Sequence, residues 1–376
     1  MDIQAFHNKC IVVDTHVDTV LRITDLGHDL ALEGDSGYMD VPKMLRGNLS
    51  ASFFACFVDP RHDSQLAAQA ELERLIEAVE TFCEKNNRHI RIAKNMADVR
   101  ANHLEGRLSI LLAIEGSNAI GDKLHLLERY AQAGVKYITL THFASNAWCD
   151  SSTDVCRHHG LSSLGVEAIR EMERNGIAVD LSHASDATFW QALDLSGKPP
   201  MVSHSSARGV TDHPRNLTDA MAKALADKGG LIGITWWPEY IRQDFMTDLE
   251  RHVAMKVPGW AERSGKSATA ELIASCGDDM QAIYDCIVKV GVEMPTIADM
   301  LAHVDHLSAI VGSECLCFGS DHGAMDFHIR GVEDCSCLPE LTKALLARGY
   351  TPEATQYLIG NSVLAYFDRL ERWGTG

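Results

Sequence analysis

Histidine and carboxylate side chains recur in this sequence directly after short apolar runs. The first such run is followed by Asp14, His16 and Asp18, and the others are followed by Glu115, His142, His183, His204 and Asp321. Histidine nitrogens and carboxylate oxygens are ligands that suit Zn²⁺, and also Mn²⁺ or iron. Packing alone does not explain so many of these positions, because charged groups drawn together need a compensating cation. The pattern therefore predicts a metal site.

The spacing of these residues favours two ions rather than one. His16 and Asp18 are separated by one residue, so in an extended strand both side chains project to the same face and can bind one ion. Glu115 has two carboxylate oxygens, each of which can bind a different metal, and His183 with His204 would complete the second ion. Two ions that share a ligand can hold a bridging hydroxide and polarise a carbonyl. We therefore expect hydrolysis at a binuclear centre, with Zn²⁺, Mn²⁺ or iron as the candidate metals.

The apolar runs must be strands of a parallel sheet, because helix-like segments such as 64–85 and 164–175 lie between them. Eight β/α units in one chain predict a (β/α)₈ TIM-like barrel, although an open, doubly wound sheet would give a similar local pattern. In a barrel, strand ends that are about 300 positions apart in sequence meet at the same C-terminal rim. The eight predicted strands are 10–13, 51–58, 108–114, 137–140, 177–181, 200–202, 231–235 and 315–318.

We expect a single barrel domain over residues 1–376. The one long excursion lies at about 241–294, after the seventh predicted strand, and it contains Pro258, Gly259 and Gly265. We interpret it as a loop insertion on the barrel, because substrate lids are often built in this way.

Composition argues against several partners. The formal net charge of −18 repels phosphate backbones and anionic lipids, which disfavours nucleic-acid and membrane-surface binding. The first residues lack the pattern of a secretory signal, and no segment has the roughly 18 consecutive apolar residues of a membrane span, so we expect a cytoplasmic protein. Eleven cysteines without a secretory signal predict reduced thiols rather than a disulfide framework.

Several motifs resemble the membrane dipeptidase (renal dipeptidase) family of zinc-dependent, amidohydrolase-like barrels. They are VDTHVDT, AIEGS, YITLTHFASNAWCD, GIAVDLSHAS, VSHSSARGVTDHPRNL, HVDHL and GSD, and they span most of the chain in the family's order. The resemblance implies a barrel enzyme that binds two Zn²⁺ ions and cleaves the peptide bond of small dipeptides. Other divalent metals could take the place of zinc. The resemblance also implies a homodimer.

The resemblance assigns a role to each candidate residue. It makes His16 and Asp18 ligands of one zinc, Glu115 the bridge, and His183 and His204 ligands of the other. It points to His142 as the group that contacts the substrate carbonyl. It points to Arg215 as the residue that holds the substrate carboxylate, and an arginine fork suits that role. Asp321 is implied as the proton shuttle or amine anchor.

The chain departs from the family pattern at two places. It has Glu115-Gly116-Ser117 where the family commonly has Glu-Gly-Gly, and His322-Gly323 where the family commonly has Phe-Asp-Gly after the aspartate. Tolerance of a D-residue at the substrate's C-terminal position stays open. Two alternatives remain: another amide or lactone hydrolase on the same barrel, and a non-catalytic metal or peptide binder.

Overall fold

The computed structural model describes residues 1–25, 27–34, 37–62, 64–245, 247–248, 251, 291–323 and 329–373. Strands alternate with helices along the chain, as the sequence predicts. The strands are β1 Val12–Val17, β2 Leu49–Phe57, β3 Ile90–Ile92, β4 Leu108–Glu115, β5 Val135–Thr139, β6 Ala178–Asp180, β7 Met201–Ser205, β8 Leu231–Ile234 and β9 Leu316–Phe318.

The predicted (β/α)₈ barrel is confirmed. All strand pairs in the described part of the chain are parallel, and they run in the order β2-β1-β9-β8-β7-β6-β5-β4, with β2 pairing with β4 to close the ring. Each of these eight strands overlaps one predicted run. The ninth strand, β3, pairs with the first half of β4 outside the ring. It was not predicted, because three residues with one exposed position give too short a pattern.

Helices surround the barrel, and polar side chains cap many of their first turns. The longest helix in the described ranges, Gln65–Lys85, begins after Ser64, whose hydroxyl accepts a hydrogen bond from the Ala67 N–H. Its buried residues recur every three or four positions, which lays one apolar face against the barrel. The helices are α1 Ile3–His7, α2 Val20–Thr24, α3 Val41–Arg46, α4 Gln65–Lys85, α5 Met96–Leu104, α6 Leu126–Ala133, α7 Ser163–Arg174, α8 Asp186–Leu195, α9 Asp219–Asp227, α10 Pro238–Ile241, α11 Ile297–Val311, α12 Leu338–Ala347, α13 Pro352–Gln356 and α14 Ser362–Trp373.

Alternation along the strands separates an outer core from an inner one. In β4, Ile110, Leu112 and Ile114 pack into the layer between strands and helices, whereas Leu111 and Ala113 belong to the cluster inside the barrel. The same two-residue period directs Glu115, the last residue of β4, into the barrel at its C-terminal rim. The fold thus places one buried carboxylate on the barrel axis.

The opposite end of the barrel is closed by α14. Phe367 of this helix stacks on Phe53 of β2 with ring centroids 5.2 Å apart. The Tyr366 hydroxyl donates a hydrogen bond to the Pro199 carbonyl at 2.7 Å. Because the bottom of the barrel is packed with apolar side chains, access to the interior is from the C-terminal rim.

Other expectations from the sequence have mixed outcomes. Most of the predicted insertion at 241–294, with Pro258, Gly259 and Gly265, lies outside the described residues and stays a prediction. The cysteines in the described ranges are all unpaired. Among the described helices, none combines the length and the apolar character needed to cross a bilayer.

Candidate metal centre and active site

Irregularities in β1 and β7 direct the side chains of His16 and His204 into the barrel. The pairing register shifts between Asp14 and Val17 in β1, and between Val202 and Ser205 in β7. Such bulges re-aim side chains that strict alternation would send to the other face. The rings of His16 and His204 consequently face each other with centroids 3.8 Å apart. These two strands lie on different sides of the barrel, so the contact defines its centre.

Glu115 lies where the histidines converge. Its Oε1 atom is 3.3 Å from His16 Nε2, 3.2 Å from His183 Nε2 and 3.4 Å from His204 Nε2. Two groups of metal-binding type share this carboxylate, and within each group the ligand atoms lie within 4.8 Å of one another. These two groups are His16, Asp18 and Glu115, and Glu115, His183 and His204; a third group, without Glu115, contains His16, His204 and Asp321. All five predicted ligands therefore come together, and Asp321 lies close enough to His16 and His204 to be a further ligand.

The donors in this cluster fit divalent cations. Among the described residues, both Glu115 oxygens, His16 Nε2 and Asp18 Oδ1 are buried and have no hydrogen-bond partner. Buried polar atoms in native proteins are normally satisfied, so this concentration of unsatisfied donors and acceptors needs an explanation. Mixed imidazole nitrogen and carboxylate oxygen is a ligand set for Zn²⁺, Mn²⁺ or iron. A cation between these atoms would satisfy them together.

The electrostatics of the carboxylates point the same way. Burial raises the pKa of Asp18 well above its usual value, and the neighbouring Glu115 carboxylate raises it further. Burial also raises the pKa of Asp321 to about 6, although His16 and Arg215 partly oppose this. Carboxylates whose pKa values rise through burial and mutual repulsion are short of positive charge. Divalent cations would supply that charge.

The histidines of the second group are suited to bind metal. Burial lowers the pKa of both His183 and His204 well below the usual value, and the nearby Arg215 lowers both further. Their rings are therefore neutral near pH 7, and a neutral ring is the form that binds a metal. His183 Nε2 and His204 Nε2 are 2.9 Å apart, so both nitrogens converge on one point.

His142 lies above this cluster, towards the mouth of the barrel. Its Nε2 atom is 3.7 Å from Glu115 Oε1, and its side chain is 23% exposed, whereas that of Glu115 is 1% exposed. The ring packs against Phe57 and His183 with centroids 4.5 and 4.2 Å away. Burial lowers the pKa of His142 to about 4, so the ring is neutral and can donate a hydrogen bond to a substrate oxygen. Its position fits the predicted contact with a carbonyl.

Arg215 is buried at the rim, although an arginine at this position could have been a surface salt bridge. One terminal nitrogen donates to the Ser205 hydroxyl at 3.1 Å, and the other to the His204 carbonyl at 3.0 Å. Its guanidinium carbon lies 5.1 Å from the centre of the Tyr240 ring. Within the described ranges it forms no ion pair with a carboxylate, and its Nε has no hydrogen-bond partner. A buried cation in this state is suited to bind an anionic group of a ligand.

Asp321 follows β9 and is fixed to β1. Its backbone N–H donates to the His16 carbonyl at 3.0 Å, and its φ of +62° lies in the left-handed region. Its Oδ1 atom is 3.8 Å from His16 Nε2. The adjacent His322 is buried and stacks on Tyr38 with centroids 4.0 Å apart. The histidine that distinguishes this chain therefore belongs to an aromatic cluster beside the site.

Sequence reasoning missed three residues beneath the cluster: Tyr137, Asp180 and Ser203. Each is buried and hydrogen-bonded, and Tyr137 and Ser203 contact the ligand histidines directly. A usable signal was present for Asp180, because a carboxylate inside the apolar run 177–181 needs a buried partner.

Three other histidines, His158, His303 and His306, lie apart from the cluster and make contacts of their own. His303 accepts a hydrogen bond from the Ala207 N–H at 3.0 Å and donates to the Ile241 carbonyl at 3.0 Å. His306 pairs with Asp219 at 2.7 Å. His158 contacts the Asn146 carbonyl at 2.9 Å, which holds the loop after β5.

Comparison with known sequences identifies relatives of this chain. The sequence pattern of the membrane dipeptidase family (peptidase family M19) matches residues 1–374. Dipeptidase aclJ of Aspergillus oryzae is 29% identical over 348 residues, which cover 89% of this chain and 70% of that protein. An uncharacterized dipeptidase of Schizosaccharomyces pombe is 28% identical over 382 residues, which cover 96% of this chain and 80% of that protein.

Solved structures show the same fold. The probable dipeptidase PvdM from Pseudomonas aeruginosa superposes with a TM-score of 0.84 at 23% identity, covering 99% of this chain and 98% of that one. A metallopeptidase from Rhodobacter sphaeroides, solved with a phosphinate mimic of the dipeptide L-Ala-D-Ala, gives a TM-score of 0.74 at 22% identity. That alignment covers 96% of this chain and 99% of the Rhodobacter chain.

Proposed function

We propose a mechanism by which this chain cleaves the peptide bond of its substrate. The chain belongs to the membrane dipeptidase family and is a metallo-dipeptidase. Two divalent cations would be held by His16, Asp18, Glu115, His183 and His204. Zn²⁺ is the first candidate for both ions. When bound, such ions lower the pKa of water so that a hydroxide is available at neutral pH, and they polarise the scissile carbonyl. The observation that carries the proposal is Glu115, a buried carboxylate shared by both ligand groups.

The residues around the cluster would orient the substrate. Arg215 would bind the C-terminal carboxylate, because it is a buried cation with no ion-pair partner among the described residues. His142, the most exposed of the histidines that surround Glu115, would donate a hydrogen bond to the carbonyl oxygen as negative charge develops there. Together these two contacts would limit the substrate to a short peptide with a free carboxylate.

Asp321 would handle the proton. Its carboxylate faces the cluster, and burial raises its pKa to about 6, within range for accepting a proton and returning it at neutral pH. It would take the proton of the attacking water and pass it to the departing amine. The same carboxylate could anchor the substrate's free amino group, and dipeptides blocked at the amine distinguish these two roles.

Metal content and hydrolysis test the proposal together. Protein purified without chelator and reconstituted with Zn²⁺ should contain two equivalents of metal and hydrolyse a library of dipeptides. The library includes L-Ala-D-Ala, because the Rhodobacter sphaeroides relative is liganded with a mimic of that peptide. Glu115→Gln keeps the shape of the side chain but removes its charge, and it should lose metal and activity. The exposed Glu105→Gln variant is the control. A metal count near zero, or full activity in Glu115→Gln, contradicts the proposal.

The same assays address the alternatives. Hydrolysis of acyl-amino acids, β-lactams or lactones in preference to dipeptides would favour a different hydrolase on this barrel. Binding of a dipeptide by metal-replete protein without turnover would favour a binder. The cytoplasmic location and the homodimer remain proposals, which fractionation of the source cells and light scattering would test.

A further inference from the structure

The His16 ring is fixed from beneath by a tyrosine. His16 Nδ1 lies 2.8 Å from the Tyr137 hydroxyl, and that hydroxyl donates its proton to the Thr15 carbonyl at 2.8 Å. A phenol has one proton, so its oxygen must accept from His16, and Nδ1 must carry a hydrogen. The Nε2 atom of His16 is thereby left to face Glu115.

The His204 ring is fixed by a different device. His204 Nδ1 lies 2.8 Å from the Ser203 hydroxyl, which donates to Asp180 Oδ2 at 2.6 Å. Asp180 also accepts from the Ser203 N–H at 2.8 Å and from the Thr139 hydroxyl at 2.6 Å. With its proton directed to the carboxylate, the serine oxygen accepts from His204 Nδ1. The Nε2 atom of His204 again faces Glu115, at 3.4 Å.

We propose that Tyr137 and the Ser203–Asp180 pair are positioning residues, each of which fixes the ring tautomer of one histidine ligand and so sets the affinity of one cation. Tyr137 acts on the group that contains His16 and Asp18, and Asp180 acts on the group that contains His183 and His204. This inference rests on the proposed two-metal function. A histidine that loses its outer partner is free to rotate or to carry its hydrogen on the metal-facing nitrogen, and such losses typically weaken metal binding by about 10- to 100-fold.

The chain supplies matched controls. Tyr137→Phe removes one buried hydroxyl, and Tyr366→Phe removes another, which donates to the Pro199 carbonyl at the opposite end of the barrel. Asp180→Asn alters the carboxylate that holds Ser203, whereas Thr139→Val removes a different hydrogen bond to the same carboxylate. Tyr366 has no hydrogen bond to a ligand histidine, and Thr139 reaches His204 only indirectly, through Asp180 and Ser203.

The experiment measures stepwise Zn²⁺ affinity by competition with a chromophoric chelator on the full-length protein. We expect Tyr137→Phe and Asp180→Asn each to weaken one binding step by about 10- to 100-fold, and the double variant to weaken both. Tyr366→Phe should bind like the wild type, and Thr139→Val should lose less affinity than Asp180→Asn, because it leaves the Ser203–Asp180 hydrogen bond in place. Thermal unfolding of the metal-free proteins separates a general loss of stability from a specific loss of affinity.

A second route keeps the test decisive if Asp180→Asn does not fold. Ser203→Ala removes the hydroxyl that connects His204 to Asp180, and Ser203→Thr restores a hydroxyl and should recover affinity. The inference would be overturned if all of these variants bound both Zn²⁺ ions with wild-type affinity, or if the controls lost as much affinity as the test variants. Either result would leave the proposed function intact. Wild-type protein that binds no divalent cation would overturn both.

Discussion

At the scale of single residues, the site depends on which charges are already paired. Glu115 and Arg215 are both buried. Within the described ranges, Glu115 forms no ion pair with a lysine or arginine, and Arg215 forms none with a carboxylate. Nearby Arg208 differs, because two of its nitrogens bind the Asp186 carboxylate at 2.8 Å. An arginine already paired in this way has less to offer a substrate. The contrast makes Arg215 the better anchor for a carboxylate.

The role of Arg215 predicts an effect that depends on the substrate's terminus. Arg215→Met should lower kcat/KM for dipeptides by about 10- to 100-fold, because a hydrogen bond to a charged group contributes about 1.5–3 kcal/mol. The same variant should change little for dipeptides amidated at the C-terminus. Steady-state rates on both substrate forms measure the difference, with Arg208→Met as the control. An equal loss on both forms would assign Arg215 a purely structural role.

At the scale of elements, the loop after β7 carries Arg215 and is secured by α11. His303 of this helix accepts from the Ala207 N–H and donates to the Ile241 carbonyl, so its ring must be neutral to make both bonds. Burial lowers the pKa of His303 to about 4. Protonation of the ring therefore opposes folding, and it also removes the bond that fixes the start of this loop.

This contact predicts a pH-dependent stability. The folded-state pKa of His303 lies below the unfolded value, so its contribution is complete above about pH 6.5 and is lost as the pH falls towards 4. Between pH 7.5 and pH 5 the loss should be about 2 kcal/mol. Urea unfolding at both pH values, in wild type and in His303→Gln, isolates the contribution, since other titrating groups cancel in the difference. A variant that retains the wild-type slope would contradict this prediction.

Close approach of strands inside the barrel predicts an intolerant glycine. A Cβ atom on Gly233 of β8 would lie 1.9 Å from the Ser203 carbonyl oxygen, which is backbone and cannot move aside cheaply. Gly233→Ala should cost at least about 3 kcal/mol of stability or prevent folding. Gly197→Ala is the control, because its Cβ would meet only a side-chain oxygen of Glu173 at 3.4 Å. Equal stability of the two variants, measured by thermal unfolding, would count against this account.

How far the sequence predicted this site depends on the kind of signal each residue gives. Glu115 and His183 end apolar runs, so their place at the rim followed from the strand pattern. The inward position of His16 and His204 also requires register shifts in β1 and β7, which no local pattern reveals. Tyr137 and Ser203 were missed because a tyrosine or serine in a buried strand is ordinary, and only the three-dimensional contacts connect them to the ligands.

At the scale of the whole molecule, metal binding and folding should be linked. The five predicted ligands come from four strands or the loops that follow them, so an unfolded chain cannot present them together. Cations that bind only the folded state stabilise it by mass action, by about 2.7 kcal/mol at 100 times the dissociation constant. Adding Zn²⁺ to chelator-treated protein should therefore raise Tm by several degrees. Glu115→Gln should show little of this rise, and an equal rise in both proteins would indicate non-specific binding.

The pairing of β1 with β9 has a consequence for how the chain reaches its native state. Asp14 pairs with Phe318, so the last seam of the barrel joins segments about 300 residues apart, and contacts this distant in sequence form slowly. Until that seam forms, β1 and β9 each present an unpaired edge of main-chain donors and acceptors, which invites association with other chains. Refolding yield should therefore fall steeply with protein concentration, even where the finished barrel is stable.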